Sequence, residues 1–156
     1  STALPANPKL INATFVGAPA HDRSAMVLNS GTHVEYYNTV VTGASNCLEM
    51  TDAGTRGTFQ SVFFSCAAPF YNDNGTGMAA TAFNAGSNNV ASGTSTLVNG
   101  MVNGANEAAV TAADLSTLIP RTNGFVRQVD YIGAVKDAND KWWEGWTCGL
   151  PGTPSC

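Results

Sequence analysis

Residue types able to do chemistry are sparse in this chain of 156 residues. Four are cysteines: Cys47, Cys66, Cys148 and Cys156. No CxxC pair and no His-rich ligand spacing surrounds them, which argues against zinc or haem. An even count on a low-charge chain rich in Asn, Thr and Gly fits an oxidising compartment and two disulfides; four inert buried thiols are the alternative. The histidines are His21 and His33, and no G-x-S-x-G elbow sets a nucleophile beside either. Acids gather at Asn72-Asp73-Asn74 and at Asp137, Asn139 and Asp140 with Glu144. Asp137-x-Asn139 opens like a calcium loop, but the sixth position lacks Gly and the twelfth lacks Glu. Turn formation explains both clusters without a metal, so no metal or cofactor is expected, with Asp137, Asn139 and Asp140 as the faint calcium candidate. Arg23, Arg56, Arg121 and Arg127 are scattered. No constellation names a reaction, and catalysis is not expected.

Binding chemistry has one better foothold. Trp142, Trp143 and Trp146 are the residue type that stacks on sugar rings. In a strand, Trp142 and Trp143 point to opposite faces and cannot share a platform. Trp142 is therefore the candidate ligand-facing aromatic, and Trp143 or Trp146 is expected to close the core. Tyr36 and Tyr37 alternate in the same way. Asn12-Ala13-Thr14 and Asn74-Gly75-Thr76 match glycosylation sequons, read here as coincidence.

The totals bound what such residues can belong to. The length suits one domain over 1–156 with a real core. Charged residues are only 12% of the chain, so Asn, Thr, Ser and Gly must cover the surface. Such a surface only weakly repels copies of itself. The net charge is −4 and there is no Lys/Arg run, which argues against nucleic acid as a partner. No apolar run reaches membrane-spanning length. The chain opens at Ser1 without Met and without a signal-peptide pattern, and is read as a mature or excised piece.

The elements that position these residues repeat. Ala25 to Thr32, Leu48 to Thr55 and Pro69 to Thr76 are each a strand-like run closed by Gly-Thr, with glycines 23 and then 21 residues apart. A second block runs from Leu10 to Gly17, Tyr36 to Gly43 and Phe59 to Cys66, with a degenerate copy from Leu97 to Gly104. Its columns join Leu10, Tyr36, Phe59 and Leu97, and join Phe15, Val41, Phe64 and Val102. Asn12, Asn38 and Asn99 share a third column, with Ser61 as the exception, and suggest an amide ladder. Two blocks recurring in fixed order at this period predict a chain that coils on itself, in preference to an antiparallel sandwich. The expected architecture is all-β: a right-handed parallel β-helix, or solenoid, of about three to four coils.

Along the chain, 1–8 is an irregular lead-in, and 9–104 holds the coils with an irregular insertion at 77–95. A short capping helix is expected within 105–120, starting at Thr111-Ala112-Ala113-Asp114, with Ala109, Val110, Ala113, Leu115 and Leu118 on one face and Pro120 as its stop. Residues 121–156 are expected to supply closing strands and a tail tied by a Cys148–Cys156 bridge. On the repeat alignment Cys47 falls in the column of Ala68, which puts Cys47 and Cys66 on neighbouring coils within bonding reach. That bridge would constrain the unfolded chain by about 3 kcal/mol.

Two stretches carry a family likeness: Ile11 to Gly17 with Tyr37 to Gly43, and the more specific Val129-Asp130-Tyr131-Ile132-Gly133-Ala134-Val135-Lys136-Asp137 through Trp142 and Gly145-Trp146-Thr147. Through them the chain resembles the C-terminal part of a group of secreted bacterial right-handed parallel β-helix proteins. The resemblance implies secretion and a terminal stretch that closes the solenoid, and implies no activity. Relatives in that group carry more coils upstream, so the coil near Leu10 is expected to present an open edge. The expected function is a non-catalytic structural module, secreted or at the cell surface, self-assembling through that edge into oligomers or filaments. Its partner is then a copy of itself or an upstream or partner β-helix chain. The other expectation is a carbohydrate-binding or polysaccharide-degrading module.

Overall fold

The computed structural model describes residues 6–18, 23–71, 77–149, 153 and 155–156. His21, the Asn72-Asp73-Asn74 cluster and the Asn74 sequon fall outside the described residues, as does most of the lead-in.

Alternating apolar runs form seven strands: β1 (Lys9–Ile11), β2 (Thr14–Val16), β3 (Ser24–Leu28), β4 (His33–Thr42), β5 (Asn46–Met50), β6 (Arg56–Ser65) and β7 (Ala68–Phe70). They make two separate parallel sheets. In the first, β1 and β2 lie end to end along one edge of β4, and β6 lies along the other. In the second the order is β3-β5-β7. The registers Leu10↔Tyr36↔Phe59 and Phe15↔Val41↔Phe64 keep the columns read from the first repeat block. The Gly-Thr block is slipped by one residue, pairing Met26 with Leu48 and Leu48 with Phe70. The extra residue is absorbed at the corner, where Gly31 N–H donates to Thr55 Oγ1 and Ser30 N–H to Asp52. Leu10, Phe15, Tyr36, Phe59 and Phe64 meet Met26, Leu28, Leu48 and Met50 in one apolar core between the sheets.

The β-helix of three to four coils does not form. Neither sheet closes, and beyond β6 and β7 no further strand forms among the described residues: the parallel pairing continues past β6 only as the single bridge of Phe63 to Val90. The supposed fourth copy at 97–104 folds back on itself instead. Val98 and Val102 bridge antiparallel around Asn99 and Gly100, whose φ angles of 53° and 72° make a tight hairpin turn. The insertion at 77–95 is more ordered than expected. Its Ala-rich start forms helix α1 (Met78–Asn84), which buries Ala79 and Phe83 one turn apart.

The capping helix is displaced too. Helix α2 spans only Ala105–Ala108, and a 3-10 turn covers Ile119–Thr122. Residues 111–115 stay extended because their backbone is claimed by side-chain amides. Ala113 N–H donates to Asn38 Oδ1 at 2.7 Å, while Gln128 accepts from Leu115 N–H and donates to the Ala113 carbonyl. Asp114 accepts from Ser116 N–H, so it does not cap a helix at Thr111. The closing strands are likewise absent. Within 121–149 the described residues make no strand, only the single parallel bridge of Val135 to Val102. This C-terminal half lies across the outer face of the first sheet as an irregular layer. Ile132 packs on Val40 and Phe63, and Leu115 and Leu118 pack near Ile11 and Tyr37.

The Asn column has a backbone cause. Asn12, Asn38 and Ser61 are left-handed, with φ of 53°, 50° and 56°. Each is a break that resets which side chains face inward, so Tyr36 and Val41 both point into the core although an even number of residues lies between them. Asn38 Nδ2 reaches Asn12 Oδ1 at 3.3 Å, a single rung in place of a ladder. The other amide bonds run outward: Asn12 donates to the carbonyls of Tyr131 and Gly133, and Asn38 accepts from Ala113.

Both disulfides form. Cys47–Cys66 and Cys148–Cys156 have Cα separations of 5.5 and 5.1 Å. The first ties the start of β5 to the residue after β6.

Candidate functional site

The two ends of the strand stack differ. At the β6 end the core is stoppered. Phe83 of α1 is 1% exposed and stacks on Phe64 at 4.3 Å, with Phe59 at 5.6 Å and Phe70 at 5.5 Å. The free backbone edge of β6 is sealed as well. Ser61 N–H donates to Ser87 O, and Val90 bridges between the Val62 carbonyl and Phe64 N–H. Asn89 completes the seal by accepting from Val62 N–H and donating to the carbonyls of Phe59 and Phe83. Gly86 is obligatory here, because a Cβ at that position would sit 1.7 Å from the Phe59 carbonyl oxygen.

At the β1, β2 and β3 end, neither seal exists among the described residues. The core columns run from Phe59 and Phe64, both 0% exposed, through Tyr36 at 6% and Val41 at 0%, to Leu10 and Phe15, which are only half-buried. Val16 and Val27, on the two strands of this first layer, are 59% and 49% exposed. Both β1 and β2 pair only with β4. The Glu35 carboxylate accepts from Lys9, Asn7 and the Tyr37 hydroxyl. Burial pushes the Glu35 pKa up, but these donors outweigh it and hold the group below its usual value. Burial, with the bond to Glu35, pushes Tyr37 up to about 12.

The remaining sequence candidates are accounted for as follows. Asp137, Asn139 and Asp140 spend their polar groups on a turn. Asp137 accepts from Asn139 N–H, and Asp140 accepts from Lys136 N–H. Among the described residues no three His, Cys, Asp or Glu side chains gather closely enough to hold a metal ion. Arg56 donates to the carbonyls of Ala53 and Thr55. Of the tryptophans, Trp143 is buried at 4%, while Trp146 is 86% exposed and so does not close the core. Trp142 is 60% exposed, and its indole N–H donates to the Ala134 carbonyl. A pocket of about 320 Å³ is lined by Val98, Asn99, Trp143, Lys141 and Glu144, so the buried Trp143 and not Trp142 forms its wall. Lys141 and Glu144 pair with each other at 3.1 Å across its rim.

Glu107 was not singled out in the sequence. Its carboxylate is fully buried and accepts from Thr96 N–H, Thr96 Oγ1 and Gly104 N–H. Burial raises its pKa, yet these donors hold it below the usual value. With the Ser95 hydroxyl, these donors flank the Val98–Val102 hairpin on both sides, so Glu107 is a clamp for that hairpin. Its signal was the spacing from Gly104, three residues ahead of a helix acid.

No family model matches the chain, and no curated protein or solved structure matches it. The likeness to secreted bacterial proteins rests on the quoted residues alone.

Proposed function

We propose that this chain is a non-catalytic structural module that associates with other protein through the open β1, β2 and β3 end. The observation that carries this reading is the gradient along the core columns, sealed at Phe83 and half-exposed at Leu10 and Phe15. An unsealed parallel edge with apolar residues beside it is a template for a further strand. Low charge, at 12% of residues, leaves little repulsion between copies. The two disulfides are compatible with an extracellular setting, and no helix among the described residues is long and apolar enough to cross a membrane. Secretion or cell-surface exposure belongs to the same proposal.

The test is light scattering across a concentration series, with hydrogen exchange of the Lys9 to Val16 amides. The expected result is mass and amide protection that rise together. A monomer with unprotected amides at every concentration removes the self-association reading.

A second reading, carbohydrate binding, has one specific observation behind it: Trp142 is 60% exposed and follows Lys141, which lines the 320 Å³ pocket. A glycan array without hits disposes of it.

A further inference from the structure

We infer that the partner at the open end is a second copy of this chain, paired across a two-fold axis, and that assembly stops at two. This rests on the association reading above and narrows it. An open-ended filament needs a heterologous contact, in which the open end of one copy meets the opposite end of the next. That opposite end offers little edge, because 86–95 occupies the backbone of β6, Phe83 occupies the core, and β7 is only three residues long with Pro69, which has no N–H, at its centre. Only like ends remain to meet, and a contact of like with like is isologous and closed.

The edge is self-complementary in one register. Pro8 and Ala13 carbonyls accept from Glu35 and Val40, and Asn12 and Gly17 N–H groups donate to Tyr37 and Thr42. By strand alternation, the backbone groups of Lys9, Ile11, Thr14 and Val16 therefore point away from β4. The left-handed break at Asn12 divides this edge, with two outward residues on each side. An antiparallel copy places all four outward residues opposite outward residues only when Lys9 faces Val16 and Ile11 faces Thr14, which sets Asn12 opposite Ala13. In that register outward groups meet outward groups on both sides of the break. The aliphatic stem of Lys9 then covers Val16, which is 59% exposed in the single chain.

The test is sedimentation velocity on the full chain, combined with cross-linking by a short bismaleimide. The Lys9→Cys/Val16→Cys double variant is expected to cross-link as a dimer. Neither single variant should do so, because like positions lie about 24 Å apart in this register. Val16→Lys is expected to weaken the dimer at least about 10-fold, a loss of about 1.4 kcal/mol. Its thermal melt as a monomer should be unchanged, since the side chain is exposed. Species that grow beyond a dimer, or dimers that cross-link equally well through the single variants, overturn this inference while leaving the association reading intact. A monomer at every concentration overturns this inference and, with it, self-association through this edge.

Discussion

Ser61 occupies the column position that holds Asn in the two neighbouring layers. It keeps their left-handed backbone, with φ of 56°, but its buried hydroxyl has no hydrogen-bond partner. An L-residue in this region costs about 1–2 kcal/mol, and glycine avoids that cost. Ser61→Gly is therefore expected to stabilise the fold by about 1 kcal/mol, read as a higher urea midpoint with an unchanged slope. The Glu35 cluster makes a pH prediction at the same scale. The folded carboxyl lies below its ordinary value of 4.5, so its contribution is present above 4.5 and is lost as pH falls through the folded value. Tyr37 works at the other limb. Raised from 10.0 to about 12, it contributes fully below pH 10, and that contribution is lost as pH rises through 12. Glu35→Gln should shallow the acid limb of a thermal-stability profile against pH; an acid limb identical to wild type would contradict the assignment.

At the scale of elements, the legible parts were those with a local signal. The Leu10/Tyr36/Phe59 and Phe15/Val41/Phe64 columns were readable because parallel in-register strands stack like on like. The Gly-Thr block was misread by one residue because the corner holds an extra residue that leaves no mark on the apolar pattern. Helix α1 was missed because alanines dominate its face, and its large apolar groups are Met78 and Phe83 alone. The supposed helix at 111–118 failed for a tertiary reason: Asn38, some 75 residues away, takes the Ala113 N–H. Nothing near 113 announces that partner. Helix α1 makes its own prediction. Phe83 is the stopper of the core, so Phe83→Ala is expected to cost about 3–5 kcal/mol. The measurement is chemical denaturation, and a loss below 1 kcal/mol would mean that the β6 end is not sealed by this ring.

For the molecule as a whole, the half-burial of the first column residues was legible and the enclosing architecture was not. Half-exposed Leu10 and Phe15 follow directly from being first in their columns. The irregular outer layer does not follow from any periodicity. It is held by Asn12, Asn38, Asn103 and Gln128, each bonding to a backbone far away in sequence. The Trp-rich stretch looked like a closing strand because its composition suits one, yet its backbone turns at Lys141 to Trp146. Asymmetry between the two ends is the property that gives the molecule a polarity, and the association experiments above test that polarity directly.

The Cys47–Cys66 bridge has a mechanical consequence. If the chain is pulled from its two termini, the 19-residue span between these cysteines cannot lengthen until the bond is reduced. About 65 Å of contour is thereby withheld from extension. The layer of β1, β2 and β3 lies wholly outside that locked span, held to its neighbours by hydrogen bonds and packing with no covalent cross-link. Tension can therefore draw out this first layer while the span from Cys47 to Cys66 keeps its length, like a tear-off strip on a riveted plate.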